Sequence, residues 1–589
     1  MTNRAATASR ENPPSGWGAL LLVIIAICYY GFYWRAGLML SGEEGVVAVV
    51  AQRLNAGARP IADTFLGYNV GWFYPIAWLF KVAGPNYLLL RAYFFLLGIL
   101  SGLAAYLTIS LVSRKHLLAV GTGLLIILMP GVIGRNYMGL LGNLGVLTIL
   151  GTFVIQCQKR TNQLLWMMAS GCAISLTWLI RIDLGFFQTI LFLLTAILFL
   201  LKPQQGFLRR LGRVAASIVI LSACFCTIQG PVYYDAVRRD FYFQFAKQYE
   251  TWPCVIRDGT KQLLHHFAHQ SDSSIATSSP ASTTSPLPSP TSTEEEKATA
   301  SYNNFCLKRP PLVDILDAPE FKERIFALLI YLPIPVSLLF IGWGMFLTLG
   351  SLFFRNEELW KKGAALLVST GGALTLFPQY FFWRPDMVHL GEFMIPFMVA
   401  LVIGISFVTC AWRKSSLASR SLLLILTLPA VVDLGTYAFK GWQSDGAGSI
   451  AASRRRHLDF AASNGVRVKL NPEELSRATL LRDTILSYSK AGDYVVCYPY
   501  FPMVNFMTDR PSYDYNLYAD NALPPEKFFN QAKANIERYH PAVIVIGTGK
   551  VNDTEASRFQ NWAAKTYGYI REHFTLVASD KEVEIYSRK

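Results

Sequence analysis

Of the 589 residues, 52% are apolar and only 16% charged, where a soluble domain carries about a quarter charged residues. The balance excludes an ordinary soluble globule, because the apolar residues gather into repeated runs of the roughly 20 residues that cross a hydrocarbon core. The net charge of +15 does not argue for nucleic acid, since excess Lys and Arg in such a chain mark cytoplasmic loops.

Residues 1–16 are polar and carry Arg4 and Arg10. The apolar run GALLLVIIAICYYGFYW (18–34) therefore reads as a retained first span with its N-terminus inside. The nine cysteines include no CxxC pair, and most sit singly in apolar runs, where Cys acts as a small hydrophobe.

The first loop, 41–86, opens on Glu43 and Glu44, followed by a helical stretch that ends near Gly57. A carboxylate at a wet membrane boundary can ionise and serve as a general base. Equally, two acids there simply favour the start of a helix through its dipole. Asp63 is a second candidate acid on the loop, or a turn residue. The stretch 66–84 carries Tyr68, Trp72, Phe73 and Tyr74, which either line a groove for a sugar or lipid tail or anchor the segment at the interface.

Further spans are expected at 87–112, 117–134, 138–157, 164–181, 185–201, 212–233, 325–353, 363–382, 388–411 and 421–438, making eleven with the first. Five connections (113–116, 158–163, 202–213, 355–362 and 412–420) are short and basic. They share one side only if 66–84 is an interfacial or re-entrant segment and not a span, and the positive-inside rule decides for that count. The C-terminus then lies outside the cytoplasm, with the protein in the plasma (inner) membrane. The predicted fold is mainly α: a polytopic bundle of about eleven spans plus interfacial helices over 1–440, and a small extracytoplasmic α/β domain over 441–589.

Within the external loop 235–323, the Ser/Thr/Pro-rich stretch 271–300 cannot bury enough apolar surface to order. His265, His266 and His269 beside it invite a zinc reading, but no Cys or acid stands in ligand spacing, and a plain loop fits better. Cys254 and Cys306 flank the insert, and an oxidising compartment would permit a disulfide between them. In the C-terminal region, strands are expected at 493–499 and 542–548, a terminal hairpin at 574–578 and 582–587, and helices at 472–490, 524–539 and 555–571. Arg454, Arg455 and Arg456 follow the last span and face an anionic outer surface or solvent.

Two clusters stand at outer span ends: Arg181 with Asp183, and Arg384 with Asp386 and His389. Ionisable residues at membrane depth are costly and tend to be functional. Otherwise each Arg/Asp pair locks helices together, or the Arg snorkels to the interface.

The acidic pair, the AQRL helix closing on Gly, the RP-x-x-D-x-F run (59–65) and the aromatic segment ending FKVAG (80–84) resemble the first external loop of GT-C glycosyltransferases. Within that superfamily the pattern is most similar to the branch of protein O-mannosyltransferases and the lipid A aminoarabinose transferase. The resemblance implies inverting transfer of a sugar from a polyprenyl-phosphate donor to an extracytoplasmic lipid, polysaccharide or protein. It places Glu43 at the catalytic base, although the family usually shows Asp-Glu there, so Glu43 and Glu44 both stand as candidates, with Asp63 orienting base or acceptor. The leaving phosphate gains negative charge, which a planar, always-charged Arg suits; Arg384 and His389, with Asp386, Arg181 and Asp183, are the donor-phosphate candidates. Asn143 stands where the family often has an acid, and an amide is a poor ligand for a hard cation, so a divalent metal is possible but not required. A transporter or flippase of lipid-linked saccharides is the main rival, yet the chain shows no internal repeat. A purely structural membrane protein would leave the acidic loop unexplained.

Overall fold

The computed structural model describes residues 16–60, 63–64, 69–128, 136–155, 160–203, 206–237, 331–378, 387–412, 428, 450–519, 524–550 and 555–589. The span at 421–438, the insert 271–300, His265, His266, His269, Cys254, Cys306 and Tyr68 lie outside them.

Ten of the expected spans fall on helices: α1 (Gly16–Tyr33), α4 (Tyr87–Ser113), α5 (His116–Leu128), α6 (Asn136–Phe153), α7 (Arg160–Ile180), α8 (Ile182–Leu200), α9 (Phe207–Val237), α10 (Pro333–Phe354), α11 (Glu357–Leu374) and α12 (Met387–Trp412). Six helices among the described residues are long and apolar enough to cross a membrane. Helix α6 sits inside the bundle. It packs against α4, α7, α8, α11 and α12 and buries nearly every side chain, so it needs no lipid-facing stripe. Outer helices do: Phe346 and Phe353 of α10 and Val219 of α9 stay exposed.

Between α1 and α4 the chain makes α2 (Glu43–Asn55), a 3-10 turn (Val70–Trp72) and α3 (Tyr74–Ala83). Ten residues at 1.5 Å each give α3 a length of about 15 Å, half a hydrocarbon core, so this segment does not span by helix length.

The C-terminal region comprises α13 (Ile450–Arg455), β1 (Leu458–Ala461), β2 (Arg467–Leu470), α14 (Pro472–Tyr488), β3 (Val495–Tyr498), α15 (Pro502–Thr508), α16 (Pro525–Tyr539), β4 (Val543–Gly547), α17 (Phe559–Trp562), α18 (Ala564–His573), β5 (Phe574–Ser579) and β6 (Val583–Arg588). Its four-stranded sheet runs β3-β4-β6-β5, with β3 parallel to β4 and the others antiparallel. The terminal hairpin forms as expected. Strands β1 and β2 form a separate antiparallel pair; this pair and α15 are additional to the expected elements.

The ends of the bundle differ in character. At one, Lys115 donates to the Ser406 carbonyl of α12 at 3.3 Å, and buried Lys202 pairs with Glu357 at 2.7 Å between the rings of Phe199 and Trp360. The described parts of the basic loops 113–116, 202–213 and 355–362 thus share that end. At the other, Tyr29 of α1 reaches the Leu128 carbonyl of α5, Trp72 lies 4.7 Å from Tyr137 of α6, and Asn69 donates to the Trp178 carbonyl of α7 at 3.0 Å. The C-terminal region docks at this second end. The backbone after α1 pairs with β2, through Lys469 N–H to Arg35 O at 2.6 Å and Gly37 N–H to Lys469 O at 2.8 Å.

Candidate active site

Helix α2 is held between the bundle and the C-terminal region. Val47, Ala48, Val49, Val50 and Ala51 are all buried, which explains a sequence with no polar face. Gly42 enters the helix at φ +146°, a conformation open to glycine. At Gly45 an added Cβ would meet the backbone nitrogen of Met503 at 2.5 Å, so the N-terminal turn of α2 and α15 touch backbone to backbone.

The two candidate carboxylates have different surroundings. Glu44 is 2% exposed. Its Oε2 accepts from the Tyr87 hydroxyl and from Arg91 Nη2 at 3.4 Å. Arg91, 1% exposed, also donates from Nη1 to the carbonyls of Trp34 (3.1 Å) and Ala36 (3.0 Å), and lies 4.6 Å over the Tyr87 ring. One buried guanidinium therefore ties together the end of α1, the start of α2 and the start of α4. Glu43, one residue earlier and about 100° around the helix, keeps part of its surface open.

Asp63 is exposed and held by Arg59: Arg59 Nε and Nη2 donate to its two oxygens at 3.0 and 2.9 Å, and the Arg59 amide donates at 2.8 Å. This is the geometry of a tied turn. Arg181 and Asp183 form a bidentate pair (2.8 and 3.1 Å) at the corner between α7 and α8, with both side chains nearly buried. Arg181 also points Nη1 at the Met138 sulfur, 3.8 Å away on α6. Arg384 and Asp386 lie outside the described residues. His389 lies in the first turn of α12. Of the aromatic set, Trp72 and Phe73 are core residues at 1% and 0% exposure, while Tyr74 faces out.

Two solved structures resemble this chain over nearly its whole length. A crystal structure of ArnT from Cupriavidus metallidurans in the apo state covers 97% of this chain and 98% of that one, at 13% identity and a TM-score of 0.47. A second, of the same protein bound to undecaprenyl phosphate, gives the same coverage at 12% identity and a TM-score of 0.42. No family model and no curated protein matches the sequence.

Asn143, two turns into α6, donates to the backbone oxygen and hydroxyl of Ser101 on α4 at 3.2 and 3.1 Å. It acts there as a hydrogen-bonded helix contact of the kind that joins membrane helices. Among the described residues no group of three His, Cys, Asp or Glu is placed to hold a metal ion.

Three polar residues that the sequence reading passed over prove central. Arg91 and Tyr87 lie inside a predicted span, where a single Arg in an apolar run was itself a signal. Arg53, at the far end of α2, donates to the carbonyls of Ser512 and Asp514, both at 2.8 Å, and to the Thr64 hydroxyl at 3.2 Å. Burial lowers the Arg53 pKa, partly opposed by Asp514. Burial pushes the Asp514 carboxyl up to about 7, against the opposing pull of Arg53 and hydrogen bonds from Ser512 and Tyr498. A third acid, Glu392, is buried in α12, one turn beyond His389.

Proposed function

We propose that the chain is an integral membrane glycosyltransferase of GT-C type, which moves a sugar from a polyprenyl-phosphate donor to an extracytoplasmic acceptor with inversion. The observation that carries this reading is the split of the acidic pair at the start of α2. Glu44 is locked by Tyr87 and Arg91, and Glu43 is the carboxylate with open surface beside it.

In this reading an acceptor hydroxyl or amine attacks the anomeric carbon. Glu43 takes its proton, and the bond from that carbon to the phosphate oxygen breaks with its electron pair on the phosphate. Glu44 is a positioning residue, which fixes the first turn of α2 through Arg91. Asp63, held by Arg59, orients the base or the acceptor. Arg384 and His389, with Asp386, are assigned to the departing phosphate, where preplaced positive charge is often the largest catalytic contribution. Arg181 is already neutralised by Asp183, which favours a corner lock over a phosphate ligand.

The C-terminal region shares an end of the bundle with α2, and the basic loops gather at the other. That arrangement supports a cytoplasmic N-terminus with the site and C-terminal region outside. The test is to delete the gene and compare envelope glycolipids, polysaccharides and glycoproteins by mass spectrometry. Loss of one sugar from one class, restored by the wild-type gene and not by Glu43→Gln, is the expected result. An unchanged inventory contradicts the reading.

A further inference from the structure

We propose that the exposed face of the β1–β2 hairpin, with Arg454, Arg455 and Arg35 beside it, binds the headgroups of anionic phospholipids in the leaflet where α1 ends. The placement comes from α1 itself. Its last turns carry Tyr29, Tyr30, Phe32 and Tyr33, followed by Trp34, and Phe32 and Trp34 are exposed. Such aromatic belts sit at the level of the headgroups. The residues immediately after, Arg35 to Gly37, pair with β2. Strand β2 is thereby fixed within one or two residues of the interface.

The hairpin shows two unlike faces. Phe460, Val468 and Leu470 are buried, while Asp459, Ala461, Arg467 and Lys469 are exposed, as the two-residue period of a strand requires. Lys469 stands directly opposite Asp459, and Arg467 opposite Ala461. Arg35 bonds Asp459 at 2.9 Å and the Arg467 carbonyl at 3.1 Å. Helix α13 packs against α1 and brings exposed Arg454 and Arg455 to the same edge. Arg456 beside them is turned inward onto Glu474 at 2.7 Å, and its guanidinium lies close to Gly37.

Five cations (Arg35, Arg454, Arg455, Arg467, Lys469) thus meet one carboxylate, Asp459, which Arg35 already neutralises. Four cations remain without an ion pair among the described residues. Cations close to an anionic membrane surface each contribute about a fivefold factor in affinity. A patch held at headgroup depth by a span meets that surface continuously, whereas a soluble polyanion would have to compete with the lipid. The patch would seat the C-terminal region on the membrane beside α2. The inference rests on α1 being a span and needs no sugar transfer.

The test uses the full chain in nanodiscs made from equal amounts of phosphatidylglycerol and phosphatidylcholine, with native mass spectrometry of the lipids retained on release. Wild type should hold phosphatidylglycerol in preference, and the preference should fall at least fivefold in R454Q/R455Q/R467Q/K469Q. The variant R454K/R455K/R467K, which keeps the charge, should retain it. Thermal midpoints in pure phosphatidylcholine discs check folding; should the fourfold variant fail there, R454Q/R455Q carries the test with a smaller loss. Equal lipid retention by wild type and a folded glutamine variant overturns the proposal. So does displacement of the retained lipid by inorganic phosphate, which would mark a site for small anions.

Discussion

Glu43→Gln and Glu44→Gln differ by one position and should differ in kind. Removing the charge of Glu44 leaves Arg91 buried without its anion, and breaking a buried pair on one side costs about 3–5 kcal/mol. Glu44→Gln should therefore lower the thermal midpoint strongly, with activity lost through folding. Glu43 keeps open surface, so Glu43→Gln should melt within a degree or two of wild type while losing the general-base factor of about 100 or more. Thermal unfolding and transfer rate, measured on the same two preparations, separate the roles; a Glu44→Gln protein of wild-type stability would show that the Arg91 pair is dispensable. The acidic pair itself was legible in the sequence from its place just past an apolar run. Which member is locked was not, because the lock comes from Tyr87 and Arg91, more than 40 positions further along.

Between elements, the contact of α2 with the C-terminal region rests on Gly45 at one end and Arg53 at the other. Gly45→Ala forces a Cβ against the Met503 backbone, and overpacking of this kind costs about 1–3 kcal/mol. The expected result is faster hydrogen exchange in β1, β2 and α15, with the bundle helices unchanged. The Arg53 end carries a pH dependence. Asp514 holds its proton up to about 7 in the folded protein, whereas an unfolded Asp releases it near 4. In that window the native state binds more protons than the unfolded one, so stability falls as pH rises from about 4 to 7 and levels off above. Asp514→Asn should match wild type near pH 4 and exceed it near pH 8; parallel melting curves across that range would contradict the burial of this carboxyl. The strands β3, β4, β5 and β6 were readable because each is a run of β-formers. The hairpin β1–β2 was not, since its strands are four residues long and each carries charge. Its one local signal was Asn464-Gly465, both at positive φ, the dipeptide that favours a tight hairpin turn.

For the molecule as a whole, apolar runs sufficed to place ten helices, because crossing a membrane demands length and hydrophobicity that no local choice conceals. Their pairing was not readable. It depends on which residues of α6 meet α4, α8 and α12, and those contacts are made by small and amide side chains such as Asn143 and Gln188. Sidedness was inferred from basic loops, and the bundle gathers three of them at the end opposite the C-terminal region. A reporter active only in the cytoplasm, fused after Lys589, should accordingly be silent; activity there would reverse the orientation. The proposed reaction is transfer of sugar from a polyprenyl phosphate with Glu43 as base. It is tested most directly by reconstituting the purified chain in liposomes with a radiolabelled polyprenyl-phosphate sugar and an envelope extract as acceptor. Wild type should move label into an extractable acceptor, and a folded Glu43→Gln protein should do so at a rate lower by a factor of about 100 or more. Equal rates from the two proteins, or no transfer by wild type from any polyprenyl-phosphate sugar, would contradict it.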